Sequence, residues 1–166
     1  NYFNTFQQPL IYTPGDNEWT DCDRPACGSY SPEERLSVLR KYFFADNQSF
    51  GQKKIKLQAQ NLDSNFTKFV ENRYWSINNI SFATIHLVGT NNNLRSTGEN
   101  LEFYEREKAN LHWLENIFNK AKNHSGLVLF TQADMFFEKK AGTGFVEVLK
   151  KLKELSIKYG KPVLLI

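Results

Sequence analysis

The sequence predicts one α/β domain whose helices pack on a mixed β-sheet, and three observations lead to this fold class. First, 40% of the 166 residues are hydrophobic and 23% are charged, as is typical of a single globular domain. Second, apolar runs alternate with amphipathic stretches in the second half, a pattern that indicates parallel strands joined by helices. Third, an Asn-Asn pair between two apolar runs indicates an antiparallel hairpin, so the sheet is expected to be mixed.

The first elements follow from an apolar run and from helix-start residues. Residues 9–13 form a β-rich run before a Pro-Gly pair, which predicts a buried strand that ends in a tight turn. A polar loop continues to Ser31, a suitable N-cap because Pro32 follows it and acidic residues occupy the next positions. The spacing of apolar residues then predicts a helix that ends at Phe44.

The middle of the chain is predicted to be β-structure. Residues 55–59 alternate between apolar and polar, as in a half-exposed strand. The runs 69–77 and 80–89 flank Asn78 and Asn79, and asparagine tolerates the positive φ that a hairpin turn needs. Because the second run carries few charges, we expect it to be a central strand.

The last third predicts two helices and two strands. Residues 101–122 form the longest helix, and residues 127–130 form a buried strand. Residues 145–159 form an amphipathic helix that Gly160 ends, and residues 163–166 form the final strand.

Composition excludes two classes of partner for this piece of sequence. Lys plus Arg number 21 and Asp plus Glu 18, so the formal net charge of +3 does not indicate a nucleic-acid groove. The apolar runs are far shorter than the roughly 20 residues that span a bilayer, so no transmembrane segment is predicted.

The two ends of the chain indicate a segment of a longer protein. The chain starts at Asn1 without Met or a signal peptide, and it stops at Ile166 within an apolar run. Chain ends of natural domains usually lie at the surface. We therefore expect residues 1–166 to be a single domain that is truncated at both ends.

Three polar segments are expected at the carboxyl ends of strands, where open α/β sheets bind their ligands. They are residues 15–18, 90–93 and 131–134, and all three are rich in carboxylate and amide groups. Hard divalent cations prefer such ligands. For residues 15–17 taken alone, ordinary turn chemistry is the simpler explanation.

The three segments together resemble a known family. The first block is Gly15-Asp16-Asn17-Glu18-Trp19, and it resembles the Gly-Asn-His-Asp/Glu motif of calcineurin-like metallophosphoesterases. A bacterial branch of that superfamily carries Gly-Asp-Asn-Glu-Trp, Val-Gly-Ser-Asn-Asn and Gln-Ala-Asp-Met-Phe in this order. The second and third blocks here are Val88-Gly89-Thr90-Asn91-Asn92 and Gln132-Ala133-Asp134-Met135-Phe136. The resemblance covers the chain from about Pro9 to Ile166 and implies a layered mixed β-sheet sandwich flanked by helices.

The resemblance also implies roles for individual residues. Asp16 falls on a metal-binding Asn of the family, and Gln132 falls near a metal-binding His, which Asp134 would assist. Asn17 falls on a catalytic His; it cannot protonate a leaving group, although it could hold a phosphate oxygen. Asn91, Asn92 and Trp19 are expected to contact substrate, with Trp19 as a wall of the pocket.

The implied activity is phosphate-ester hydrolysis by two divalent ions of manganese, iron or zinc. Other ligands of the family would lie before Asn1 and after Ile166, so the fragment itself is expected to be inactive. The alternative is a non-catalytic protein on the same scaffold that binds an unknown ligand or a cell-envelope partner, because Asn17 and Gln132 replace histidines. His86, inside the predicted central strand, is expected to be a satisfied core histidine.

Cysteine usage bears on localisation. Cys22 and Cys27 form a candidate loop disulfide of an oxidising compartment, with two free thiols as the alternative. A zinc site would need a second ligand pair that the sequence does not place at suitable spacing. The Asn-x-Ser/Thr sequons begin at Asn47, Asn65, Asn79 and Asn123. Together these features favour a secreted or periplasmic protein.

Overall fold

The five strands in the described part of the chain form one mixed sheet. The computed structural model describes residues 2–136 and 141–166. The strands lie in chain order across the sheet: β1 (Gln58–Ala59), β2 (Arg73–Ile77), β3 (Ile80–Thr84), β4 (Gly126–Phe130) and β5 (Val163–Leu165). β2 is antiparallel to both β1 and β3, whereas β3, β4 and β5 run parallel to one another. The predicted mixed α/β class is confirmed.

Three long helices connect or flank these strands: α1 (Pro32–Phe43), α2 (Leu101–Ala121) and α3 (Val146–Tyr159). The Ser31 hydroxyl accepts a hydrogen bond from the Glu34 N–H at 3.3 Å, so Ser31 caps α1 as predicted. Gly160 ends α3 with a φ of 64°, a conformation that glycine adopts without steric cost.

The predicted hairpin is confirmed. Asn78 and Asn79 have φ values of 48° and 66°, and Trp75 pairs with Phe82 across the two strands. β3 pairs with β2 on one side and with β4 on the other, so it is an interior strand, as its low charge predicted.

The strand predicted over residues 9–13 is not formed. Leu10 makes one isolated bridge to Phe50, and residues 11–15 belong to no strand or helix. Proline at both ends of the run removes N–H donors, and the Tyr12 ring packs 5.2 Å from the Phe43 ring instead of entering the sheet. The strand predicted over residues 55–59 shrinks to the two residues of β1.

One face of the sheet carries the core. Leu127 and Leu129 of β4 pack there with Ala83 and with apolar side chains of α2 and α3. The opposite face presents a stack of three half-buried rings: Trp75 lies 5.6 Å from Phe82 and 6.1 Å from Phe130. No second sheet packs on this face among the described residues, so the sandwich is not seen in this part of the chain.

Candidate functional site

The three polar segments meet at one cavity of about 730 Å³ beyond the carboxyl ends of β3 and β4. The structure brings together Asp16, Asn91, Gln132 and Asp134, which the sequence had singled out from positions more than 110 residues apart. The other lining residues are Gly89, Thr90, Ala141, Gly142, Thr143 and Phe145. Residues 141–145 were not expected there, because nothing in their sequence marks a site.

Gln132 links the first segment to the second. Its Nε2 donates to Asp16 Oδ1 at 3.2 Å, and its Oε1 accepts from the Gly89 N–H at 2.8 Å. Two glycines allow the three segments to approach one another this closely. A Cβ at Gly89 would lie 2.0 Å from Asp16 Oδ2, and a Cβ at Gly15 would lie 2.6 Å from Gln132 Cγ. A side chain at either glycine would displace the Asp16 carboxylate or the Gln132 side chain, so the two glycines keep the contact between Gln132 and Asp16 in place.

Asp16 is fixed through its backbone as well as its side chain. Its carbonyl oxygen accepts from the Trp19 N–H at 3.1 Å and from the Asp21 N–H at 3.0 Å. Its Oδ1 also accepts from the Asn17 N–H at 2.9 Å. Asn17 itself is exposed and does not belong to the lining of the cavity. The structure therefore brings Asp16 to the cavity and leaves Asn17 beside it.

The second segment is a left-handed turn. The φ values of Thr90, Asn91, Asn92 and Asn93 are 53°, 53°, 58° and 60°. Left-handed backbone costs roughly 1–2 kcal/mol for an ordinary residue and less for asparagine, so β-branched Thr90 is the most strained of the four. Such a turn persists only where its surroundings hold it.

The Asn91 amide is engaged in holding this turn. Its Oδ1 accepts from the Gly144 N–H at 2.9 Å, and its Nδ2 donates to Thr143 Oγ1 at 3.0 Å. Thr90 Oγ1 donates to Asp21 Oδ1 at 2.9 Å on the other side of the turn. Asn91 therefore lines the cavity, with its side chain already bonded to the opposite wall.

Asn92 and Trp19 do not lie where a substrate could contact them. Asn92 is fully buried, and its Nδ2 donates to the Gly144 carbonyl at 2.9 Å. Trp19 is 0% exposed and packs with Leu36 and Val88, because the short helical turn after it folds back under α1. Neither residue belongs to the lining of the cavity, and both side chains are buried beneath it.

A buried arginine lies beneath the turn. Arg106 of α2 is 0% exposed, and its guanidinium donates to the Asn92 carbonyl at 2.8 Å and to the His86 carbonyl at 3.2 Å. Its Nε lies 2.6 Å from Glu102 Oε1. Sequence reasoning missed Arg106, although it falls on the apolar stripe of α2 with Phe103 and Trp113, which was a usable signal.

His86 lies in the core, as expected, but it is not satisfied. Neither ring nitrogen has a hydrogen-bond partner among the described residues, and Nδ1 lies 3.6 Å from Glu71 Oε1. Burial, together with the charges of Arg106 and Arg40, holds the pKa of His86 well below its ordinary value. His86 is therefore a neutral group in the interior.

The donors at the cavity do not fit a dinuclear metal centre by themselves. Asp16 and Asp134 offer carboxylates, but the Gln132 oxygen already accepts from Gly89. Within residues 2–136 and 141–166, no three His, Cys, Asp or Glu side chains lie close enough together to hold a metal ion. Carboxylate and amide oxygens suit a hard cation, and the described lining of the cavity includes none of the imidazoles that zinc and iron favour.

The candidate disulfide is not formed in the structure. Cys22 and Cys27 are both free, with Cys22 half-buried and Cys27 exposed. Burial and the neighbouring Cys27 raise the pKa of the Cys22 thiol.

Comparison of the chain with protein-family models, with curated proteins and with solved structures finds no match. In the described part of the chain, no helix combines the length and apolarity needed to cross a membrane. The evidence that bears on function is therefore the geometry of the cavity and the resemblance of the three sequence blocks.

Proposed function

We propose that the cavity is the ligand site of a metal-dependent phosphoesterase. The observation that carries this proposal is that the three blocks resembling metallophosphoesterases, around Asp16, Gly89 and Gln132, line one cavity. The first and third are in direct contact through the Gln132 amide. Segments so distant in sequence that meet at the carboxyl ends of strands form the usual location of a site in an α/β fold.

The proposal gives this chain a part of the metal shell only. Asp16 and Asp134 supply carboxylate oxygens, and Gln132 would supply the second lone pair of its amide oxygen, since the first accepts from the Gly89 N–H. The remaining ligands come from outside the described residues. Two divalent ions, when bound, would polarise the phosphate ester and supply a hydroxide nucleophile. The 166-residue chain alone is not expected to hydrolyse a phosphate ester.

The proposal includes a sandwich fold, which the uncovered sheet face supports. Trp75, Phe82 and Phe130 stack on that face, and Leu164, whose strand position is paired with Val128, is 55% exposed. An apolar sheet face of this kind usually packs on another layer about 10 Å away. We infer that a second sheet covers it in the complete protein.

A second candidate function is non-catalytic ligand binding. It is favoured by the Gln132 amide, whose oxygen accepts a hydrogen bond from Gly89 and whose nitrogen donates one to Asp16. The exposed position of Asn17 also favours it. A cavity of these neutral groups and two carboxylates can bind a polar ligand through hydrogen bonds without activating water.

The two candidates are separated by metal analysis and hydrolysis on the longest natural protein that contains this sequence. For a phosphoesterase we expect about two equivalents of manganese, iron or zinc and metal-dependent cleavage of p-nitrophenyl phosphate or its diester. Asp16→Ala should lose at least one equivalent and the activity. Asp23→Ala is the matched control, because Asp23 is exposed, pairs with Arg95 at 3.0 Å and does not line the cavity.

Hydrolysis that survives both chelation and Asp16→Ala would exclude the metal-dependent mechanism. A folded protein that takes up no metal after reconstitution, yet binds a phosphate ester without cleaving it, would establish the second candidate instead.

A further inference from the structure

We propose that Arg106 is the positioning residue of this cavity. Its buried guanidinium holds the turn of residues 90–93 in the left-handed conformation and so determines where Gly89 and Asn91 stand on the cavity wall. The inference rests on the proposed function only for the identity of the ligand, because the contacts that carry it lie within this chain.

The guanidinium of Arg106 binds the turn at two points. One Nη donates to the backbone carbonyl of Asn92 at 2.8 Å, and the other donates to the Asn92 side-chain oxygen. The second also donates to the His86 carbonyl at 3.2 Å, where the chain leaves β3. A single rigid group thereby ties the end of the strand to the third residue of the turn.

The same guanidinium also supports the first segment of the site. Its central carbon lies 5.4 Å from the Trp19 ring centroid, a cation–π distance. The backbone N–H of Trp19 in turn donates to the Asp16 carbonyl at 3.1 Å. Arg106 therefore contacts the supports of both Asp16 and the turn, which were distant blocks in the sequence.

The position of the turn is transmitted to the opposite wall. Asn92 Nδ2 donates to the Gly144 carbonyl, and Asn91 Oδ1 accepts from the Gly144 N–H, both at 2.9 Å. The turn and the segment around Gly144 are so close that a Cβ at Gly144 would lie 2.1 Å from the Asn91 carbonyl oxygen. A shift of the turn must therefore move residues 141–145 as well.

The role requires arginine specifically. A planar guanidinium can bond Asn92 twice, pair with Glu102 and stack on Trp19 at the same time, whereas an ammonium group is a single point of charge. Arg106→Lys keeps the buried charge and loses the planar pair of Nη donors that bonds Asn92. It is therefore the variant that isolates positioning from charge.

The test is NMR spectroscopy of the 166-residue chain, comparing wild type with Arg106→Lys. We expect the backbone shifts and couplings of residues 90–93 to lose their left-handed signature and the side-chain amide signals of Gln132 and Asn91 to shift. Arg73→Lys is the matched control: Arg73 is also buried and stacks on Phe44, 5.4 Å away, but it does not contact the turn. It should leave these signals in place.

Folded Arg106→Lys with unchanged turn signals would overturn the proposal. If Arg106→Lys does not fold, the same spectra are taken on Glu102→Gln, which weakens the carboxylate that orients Arg106 through its Nε at 2.6 Å. Glu102 also accepts from Asn93 Nδ2 at 2.9 Å, so Asn93→Gly, which removes that bond and keeps a residue suited to the φ of 60°, is the reference. Signals of residues 90–92 that shift more in Glu102→Gln than in Asn93→Gly support the proposal, and signals that shift equally or not at all refute it. Because the readout is conformational, it decides the role of Arg106 even if the metal analysis rejects the phosphoesterase.

Discussion

His86, Glu71 and Arg106 place ionisable groups in an interior that is sealed from solvent. Glu71 is paired with Arg40, whose Nε lies 2.6 Å from the carboxylate, and its other oxygen is unpartnered in the described structure. His86 sits between this pair and Arg106 and is kept neutral by burial and by both arginines. His86 therefore makes stability depend on pH.

The first prediction concerns pH and His86. Its pKa is depressed in the folded state and close to 6.5 in the unfolded chain. Below about pH 6.5 the unfolded chain takes up a proton that native His86 does not. The free energy of unfolding therefore decreases as the pH is lowered. Between pH 7 and 5.5 wild type should lose about 1 kcal/mol more than His86→Phe, measured by urea unfolding at each pH.

His112→Gln is the control for this measurement. His112 pairs with Asp63 at 3.1 Å near the surface and has no part in the buried cluster. It should keep the steep pH dependence of wild type. Parallel stability profiles for wild type and His86→Phe would show that His86 is not the group responsible.

The second prediction, also at the residue scale, concerns Gly89. A Cβ there would meet the Asp16 carboxylate, the mobile end of a side chain, so the carboxylate can swing away. We expect Gly89→Ala to remain folded, with a loss of about 1 kcal/mol, while the Gln132–Asp16 hydrogen bond breaks. The Gln132 side-chain amide signal should shift in NMR spectra; an unmoved signal would contradict the close contact.

The decisive element of the site is the left-handed turn together with the chain segment that faces it. Its strain is offset by bonds that come from outside the turn: Gly144 on one side, Arg106 below and Asp21 on the other side. The turn and residues 141–145 should therefore form and break as one unit.

The third prediction tests this unit with Gly144→Ala. The new Cβ would lie 2.1 Å from a backbone oxygen, which cannot rotate away as a side chain can. We expect a loss of about 3 kcal/mol in urea unfolding, at the upper end for overpacking. Gly126→Ala is the control, because its nearest atom would lie 3.4 Å away, and it should change stability by less than about 1 kcal/mol. Equal effects of the two substitutions would contradict the tight fit at Gly144.

At the scale of the whole molecule, the two faces of the sheet differ in how they are covered. One face packs on α2 and α3, and the other presents the stack of Trp75, Phe82 and Phe130. Neighbouring residues of β4 point to opposite faces, since side chains alternate along a strand. Val128 is half-buried on the uncovered face, and Leu129 is 0% exposed on the packed one.

The fourth prediction uses this pair of neighbours. In the 166-residue chain, Val128→Lys should cost no more than about 1 kcal/mol and should reduce self-association, measured by sedimentation, because it places a charge on an open apolar face. Leu129→Lys should prevent folding, because it buries an unpaired charge.

Val128→Thr separates the effect of charge from that of shape, and it should leave self-association close to that of wild type. In a longer protein whose second sheet covers this face, Val128→Lys should instead be strongly destabilising. Tolerance of Val128→Lys in that longer protein would argue against the sandwich.

The sequence by itself determined the elements whose signals are local. Ser31 and Pro32 mark the start of α1, Asn78 and Asn79 mark the hairpin, and Gly160 marks the end of α3. Capping, positive φ and hydrophobic periodicity depend on a few neighbouring residues, so they can be recognised without the fold. The alternation of strands and helices also predicted that the segments after β3 and β4 share one edge of the sheet. The first segment lies at that edge without the strand that was predicted before it.

Only the tertiary structure decided which side chains face the cavity. Trp19 and Asn92 lie in polar-flanked segments that look exposed, yet both are buried because α1 and α2 pack beneath them. The sequence did not indicate that Arg106 and Gly144 belong to the site, because each acts through a partner that is distant in the sequence. Burial and hydrogen bonding depend on long-range contacts, and local patterns of residue type do not specify them.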